Sequence, residues 1–64
     1  MIRVNGVAHA EAFDSVTAMM TDMAIEPKGV AVAINGEVIR RGEWSSTSLR
    51  DGDVVEIVNA VAGG

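Results

Sequence analysis

Residues 30–39 read VAVAINGEVI and carry the signature of a β-hairpin. Three β-branched residues alternate with two alanines, which is the period of a strand with one apolar face. The Asn35-Gly36 dipeptide then supplies the two positive-φ residues that a type I′ turn requires. Val38 and Ile39 follow the turn and can pair back. The stretch therefore predicts two antiparallel strands.

A second Asn-Gly dipeptide, Asn5-Gly6, lies near the start of the sequence. It follows an alternating segment, in which Ile2 and Val4 are the apolar members. A return strand is predicted over residues 7–12, although its alanines give it a low strand propensity. The sequence thus predicts a second hairpin, at the N-terminus.

A helix is predicted between the two hairpins. An apolar stripe occurs at the spacing i, i+3, i+4 and i+7, formed by Val16, Met19, Met20 and Met23. Asp14 or Ser15 can cap the first turn by accepting a hydrogen bond from a backbone N–H. Pro27 cannot continue the helix and Gly29 follows it, so a helix of about ten residues is expected.

The remainder of the chain leads to a final strand. Residues 41–49 are predicted to be irregular, with Trp44 closing one edge of the core. An Asp-Gly-Asp turn at 51–53 precedes an apolar strand over 54–58. The order is then strand, strand, helix, strand, short strand, strand.

This order predicts an α+β domain with the β-grasp (ubiquitin-like) fold, which has adjacent and parallel first and last strands. We expect a mixed sheet of four to five strands with one helix packed across one face. The domain is predicted to span 1–60, and 61–64 to form a flexible tail ending in Gly-Gly. Alternation and the helical stripe predict the core residues Ile2, Val4, Val16, Met20, Met23, Val32, Ile34, Leu49, Val55 and Ile57.

Size and charge limit the possible functions. The chain has 64 residues, no cysteine and a formal net charge of −4. A domain this small has a thin core and little room for an internal substrate cleft. The acidic charge argues against nucleic acid as a partner. No apolar stretch approaches the roughly 20 residues that span a bilayer, and no signal-peptide pattern is present. We therefore expect a cytoplasmic protein that is monomeric when free.

The sequence offers few side chains suited to catalysis or metal binding. His9 is the one histidine, and we interpret it as a solvent-facing strand residue on the face shared by Val7. The serines lie outside nucleophile motifs. Asp51 and Asp53 flank a glycine, but the other ligand positions of a calcium loop are missing, so a turn is the better interpretation. No metal or cofactor is expected to bind this chain.

The C-terminal Gly63-Gly64 has two interpretations. One is a frayed end. The other is a thin tail that enters the active site of another protein, with Ala62 and Gly63 giving it passage and Gly64 reacting. A terminal carboxyl is ionised at neutral pH, so it must be activated before a nucleophile can attack. Val58, on the solvent face of the last strand, and Val61 are then candidates for docking to a partner.

Several motifs together carry a family resemblance. They are residues 31–36 (AVAING), Val38, Ile39, Trp44, residues 49–53 (LRDGD) and the final Gly63-Gly64. On these motifs the sequence resembles the ThiS/MoaD family of ubiquitin-like sulfur carriers. Family members often have a proline where Arg40 stands here.

The resemblance implies a β-grasp fold and a reaction cycle. In that cycle a ThiF-type adenylyltransferase uses ATP and magnesium to adenylylate the carboxylate of Gly64. A persulfide from a cysteine desulfurase or another donor converts the adenylate to a thiocarboxylate. The thiocarboxylate then delivers sulfur to thiazole synthase for thiamin biosynthesis. The chain would be a carrier acted on by enzymes and not an enzyme itself.

Other functions remain open at this point. They are the small subunit of molybdopterin synthase, a sulfur carrier of another pathway, a ubiquitin-like protein modifier, and a binding domain with a frayed tail.

Overall fold

The computed structural model describes residues 1–59, which form five strands and two helices. The strands are β1 (Ile2–Val4), β2 (Val7–His9), β3 (Val30–Ile34), β4 (Glu37–Ile39) and β5 (Val54–Asn59). The helix α1 covers Val16–Asp22, and a 3₁₀ helix, η1, covers Arg41–Ser46. The predicted element order is confirmed, and η1 lies in the region that was expected to be irregular.

β5 lies in the middle of the sheet, whose strand order is β2-β1-β5-β3-β4. It pairs in parallel with β1, where Arg3 lies beside Val54, and antiparallel with β3, where Ala31 lies beside Val58. The β1–β2 hairpin therefore lies on one side of β5, and the β3–β4 hairpin lies on the other. The predicted α+β fold with a mixed sheet is confirmed, with five strands.

Both Asn-Gly dipeptides form the predicted turns. Asn5 and Gly6 have φ values of 50° and 84°, and Asn35 and Gly36 have 52° and 85°. Two successive positive φ angles identify type I′ geometry, whose twist matches that of the flanking strands. The first hairpin is shorter than predicted, since β2 ends at His9 and not at Ala12.

The core lies between α1 and one face of the sheet. Its buried members are Ile2, Val4, Val16, Met19, Met20, Val32, Trp44, Leu49 and Val55. Three predicted core residues, Met23, Ile34 and Ile57, are half-buried and pack against this cluster. Trp44 is buried as expected, and its indole Nε1 donates a hydrogen bond to the Ile39 carbonyl at 3.0 Å.

The ends of α1 are fixed by local hydrogen bonds. Ser15 is the N-cap, and its Oγ accepts from the Ala18 N–H at 3.1 Å. At the C-terminus, the Ile25 N–H donates to the Met20 carbonyl and the Ala24 N–H to that of Thr21. This is a Schellman motif, with Ala24 at φ 55° in the position that glycine usually occupies. The helix therefore ends before Pro27, and its seven residues are fewer than the ten predicted.

Ala24 gives a direct test of this helix end. A left-handed conformation costs a residue with a Cβ about 1–2 kcal/mol, and glycine avoids this cost. Glycine also makes the unfolded chain more flexible, which offsets part of the gain. We expect Ala24→Gly to raise the free energy of unfolding by about 0.5–1 kcal/mol and Tm by roughly 2–8 °C. Ala18→Gly, inside α1, is the control and should lower both. A lower Tm for Ala24→Gly in thermal denaturation would contradict the Schellman assignment.

Candidate functional site

β5 leads directly into the C-terminal residues of the sequence. It passes through the centre of the sheet and ends at Asn59. The predicted site residues Val61, Ala62, Gly63 and Gly64 lie outside the described residues, as does the predicted boundary between domain and tail. Val58, the fifth predicted site residue, is described.

Val58 lies on the face of the sheet that α1 leaves uncovered, called here the outer face. Val55 and Ile57 point to the core, so Val54, Glu56 and Val58 point away from it by strand alternation. Val58 is 58% exposed. The geometry expected of Val58 is therefore present, and its docking role stays a prediction.

The outer face is largely apolar. Its apolar members on the three adjacent strands β5, β3 and β4 are Ala31, Ala33, Val38, Val54 and Val58, and β2 adds Ala8. Val38 is the most exposed of these three valines, at 70%. Arg3 and Glu56 lie among them, in register with Val54 and Ala33 respectively. Val38, Val54 and Val58 are exposed while the two β3 alanines are half-buried, and exposed apolar side chains that share one sheet face are typical of a surface that contacts a partner.

The opposite face has an open apolar cleft beside the end of α1. Its apolar lining is Val4, Val7, Met23, Ile25, Val30 and Ile57, and its polar lining includes Asn5, His9 and Asn59. The cleft exists because α1 stops at Asp22, so the helix does not cover this end of the sheet. The same shortness explains why Met23 and Ile57 are only half-buried.

His9 lines this cleft and is not fully solvent-facing. It lies opposite Ile2 in the β1–β2 ladder, on the core side of the sheet, and its side chain is 24% exposed. Its Nδ1 lies 3.7 Å from Oε1 of Glu11. The prediction that it shares a face with Val7 is confirmed, whereas the interpretation as a solvent-facing residue is wrong, because this face is the core side of the sheet.

The acidic turn at 51–53 has structural roles. Oδ2 of Asp53 accepts from the Arg50 N–H at 2.8 Å, and its Oδ1 accepts from the Asn35 side chain at 3.0 Å. The Asp51 carboxylate pairs with the ammonium group of Met1. Gly52 has φ 92°, as a tight turn requires. The predicted turn is confirmed.

The described part of the chain offers no constellation for metal binding or membrane insertion. Within residues 1–59, no three potential ligands among histidines and carboxylates come together. No helix of the same residues is long and apolar enough to cross a bilayer.

Two asparagines have a role that the sequence did not predict. The side chains of Asn5 and Asn35 both form hydrogen bonds with β5, at Ile57 and Val54 respectively. The sequence pattern identified both residues only as turn formers. The contact with β5 could have been found from an asparagine at the end of one strand, where the neighbouring strand continues and has backbone groups without a strand partner.

Both the fold and the sequence are similar to those of known proteins. The crystal structure of a thiamine biosynthesis protein (ThiS) from Geobacter metallireducens superposes with a TM-score of 0.80 at 34% identity, covering 98% of this chain and 97% of that one. Residues 2–64 match the model of the ThiS family. The chain belongs to the ThiS family. The family resemblance noted on the motifs is thereby confirmed.

Two ThiS-like relatives are informative. The sulfur carrier protein ThiS of Thermus thermophilus is 38% identical over 64 residues, which is 100% of each chain. A thiazole synthase of Magnetococcus marinus is 33% identical over 98% of this chain and 20% of its own length. That synthase therefore contains a segment similar to a whole ThiS-family domain.

The assignment of the two faces of β5 can be tested with one pair of substitutions. Val58→Glu should change the free energy of unfolding by no more than about 0.5 kcal/mol, because the carboxylate stays in water. Val55→Glu should unfold the domain, since Val55 is 0% exposed and a buried charge costs several kcal/mol. Chemical denaturation followed by circular dichroism measures both. Equal losses for the two variants would refute the face assignment.

Proposed function

We propose that this protein is a sulfur carrier of thiamin biosynthesis, acting in the cytoplasm as a protein substrate of other enzymes. The observation that carries the proposal is the match to the Thermus sulfur carrier over the full length of both chains. The fold supports it, because the described residues have the architecture of the Geobacter thiamine biosynthesis protein. In this proposal the reacting group is the carboxylate of Gly64, which follows Gly63 at the end of the sequence.

Activation is the first step of the proposed cycle. A Gly64 carboxylate oxygen attacks the α-phosphorus of ATP in a ThiF-type adenylyltransferase, and pyrophosphate leaves. The product is an acyl-adenylate, which is a good electrophile where the carboxylate was a poor one. ATP and magnesium belong to that enzyme. Gly63 and Ala62, with no side chain or a small one, suit a narrow channel to its active site.

Sulfur transfer is the second step. The terminal sulfur of a persulfide, supplied by a cysteine desulfurase or another donor, attacks the acyl carbon, and AMP leaves. A thiolate then attacks the resulting acyl disulfide and forms a disulfide with the donor sulfur. The Gly64 thiocarboxylate is released by that cleavage. The carrier gains one sulfur in place of one oxygen.

The proposed sulfur acceptor is thiazole synthase. Support comes from the Magnetococcus thiazole synthase, which includes a segment 33% identical to this chain within one longer polypeptide. Joining two components in one chain raises their effective concentration, an arrangement that suits successive steps. This is the reason to prefer thiazole synthesis over other sulfur-transfer pathways.

The outer face is the proposed docking surface for the activating enzyme. Val58 is exposed on the same strand that precedes residues 60–64, with Val61 three positions beyond it. Apolar contact there would hold the carrier while its C-terminus reacts. Three adjacent strands contribute to this face, so it is broad enough to exclude water around a central contact.

The carboxylate chemistry has a direct test. With the activating enzyme, ATP, magnesium and a sulfur donor, the native protein should exchange one oxygen for one sulfur. Adding one residue after Gly64 displaces the terminal carboxylate by about 3.5 Å, and deleting Gly64 withdraws it by a similar distance. A misplacement of about 1 Å can cost a hundredfold in rate, so neither variant should gain sulfur. Intact-protein mass spectrometry measures all three proteins.

The outcomes separate the candidate functions. Sulfur uptake by the extended variant at the native rate would refute the proposal. A native protein that instead forms amide conjugates with lysines, and no thiocarboxylate, would be a protein modifier. Both variants should keep the native Tm, which serves as the control for folding.

The docking proposal can be tested by comparing two valines with nearly equal exposure. Val58 and Val7 are 58% and 59% exposed, but Val7 lies on the cleft side of the sheet. Val58→Glu should weaken binding to the activating enzyme by about tenfold or more, and Val7→Glu should not. Isothermal titration calorimetry measures both affinities. The reverse result would transfer the docking surface from the outer face to the cleft.

A further inference from the structure

The Asn5 side chain binds both backbone groups of one residue in β5. Its Oδ1 accepts from the Ile57 N–H at 2.7 Å, and its Nδ2 donates to the Ile57 carbonyl at 3.1 Å. Both distances lie within the ordinary range for hydrogen bonds. The two residues are 52 positions apart in the sequence, so the contact joins opposite ends of the described chain.

This pair of bonds continues the ladder between β1 and β5 beyond the end of β1. The backbone N–H groups of Arg3 and Asn5 donate to the carbonyls of Asp53 and Val55, at 3.0 and 2.9 Å. The next step in this two-residue series falls at Ile57. However, the chain turns away after Val4, because Asn5 has φ 50° and begins the hairpin turn. The side-chain amide of Asn5 therefore takes the place of a peptide group.

Asn35 is a closely matched counterpart at the other end of β5. It has φ 52° in the second Asn-Gly turn, and its Oδ1 accepts from the Val54 N–H at 3.0 Å. Its Nδ2 donates to Asp53 at 3.0 Å. Asn35 thus holds the start of β5, whereas Asn5 holds its C-terminal half.

We propose that Asn5 is a positioning residue that fixes the C-terminal end of β5, the strand that precedes Gly64 in the sequence. Ile57 lies two positions before the end of β5, and Gly64 follows in the same sequence. Without the Asn5 amide, the backbone N–H and carbonyl of Ile57 lose their partner on the β1 side. The end of β5 then samples more conformations. The inference rests on the proposed function, since it assigns Asn5 a part in presenting Gly64 to the activating enzyme.

The effect of losing Asn5 should appear as weaker productive binding and not as slower chemistry. If only a fraction of free molecules hold the strand end in the competent direction, the apparent affinity falls by that fraction. Once the C-terminus is seated in the enzyme, the reacting groups are the same as in the native protein. KM for the carrier should therefore rise while kcat stays unchanged.

The experiment compares Asn5→Gly with Asn35→Gly. Glycine accepts the positive φ at both turns, so each variant keeps its hairpin and loses only a side-chain amide. NMR hydrogen exchange of the Ile57 amide should accelerate about two- to tenfold in Asn5→Gly, relative to that of Val55. In Asn35→Gly the accelerated amide should be that of Val54, with Ile57 unchanged.

Pyrophosphate release then measures activation by the adenylyltransferase over a range of carrier concentrations. Asn5→Gly should raise KM about two- to tenfold at constant kcat, and Asn35→Gly should leave KM near the native value. Asn5→Asp retains an acceptor for the Ile57 N–H but loses the donor to its carbonyl. Asn5→Asp should therefore raise KM as well. Because aspartate also suits this turn, a higher KM in this variant would come from the lost hydrogen bond and not from a changed turn.

Each result has a distinct meaning. Unchanged Ile57 exchange in Asn5→Gly would overturn the claim that the amide holds the strand end. Faster exchange with native KM, or equal rises in KM for the two glycine variants, would overturn the positioning role. A native protein that the adenylyltransferase does not activate would refute the proposed function itself, which the exchange measurement does not address.

Discussion

The parallel pairing of β1 with β5 holds the sheet together. The described chain has two hairpins, β1–β2 and β3–β4, and no ladder joins one directly to the other. β5 lies between them and bonds to both. An isolated hairpin is at best marginally stable in water, so each depends on β5 to become part of a larger sheet. The core under α1 in turn depends on that sheet for its second wall.

The central position of β5 also connects stability with the proposed activity. Val55 is fully buried beneath α1, while Val58 is exposed on the outer face. One strand therefore contributes to the core with one face and to the candidate docking surface with the other. A small domain has little interior to spare for a substrate. Its surface and its C-terminal sequence are accordingly where the proposed chemistry takes place.

Much of this fold could be predicted from short-range sequence signals. The two Asn-Gly dipeptides fixed the hairpins, and strand alternation placed Val58 on the outer face. The early end of α1 was not predicted, because an alanine, Ala24, adopts the left-handed conformation in which glycine is the usual residue. The apolar cleft was missed for the same reason, since a longer helix would cover it.

The role of Asn5 could not be predicted from local pattern either. Its place in an Asn-Gly turn already accounts for an asparagine, so nothing in the neighbouring sequence indicates a second partner. That partner, Ile57, is 52 positions away and becomes adjacent only through the parallel pairing of β1 with β5. Residues 61–64 were predicted to be a tail whose Gly64 reacts, from the sequence and the family resemblance, and this stays a prediction because they lie outside the described residues.

The separation between β1 and β5 has a consequence for synthesis in the cell. A ribosome adds about 5–20 residues per second, so the 52 positions between Asn5 and Ile57 take roughly 3–10 s to make. During that interval Ile2 and Val4 have no parallel neighbour to pair with, and their apolar side chains remain accessible to other molecules. Pairings between distant segments also form slowly after release. The N-terminal hairpin thus waits longer for its neighbour in the sheet than the later β3–β4 hairpin does, and is open to aggregation or to capture by a chaperone for that time.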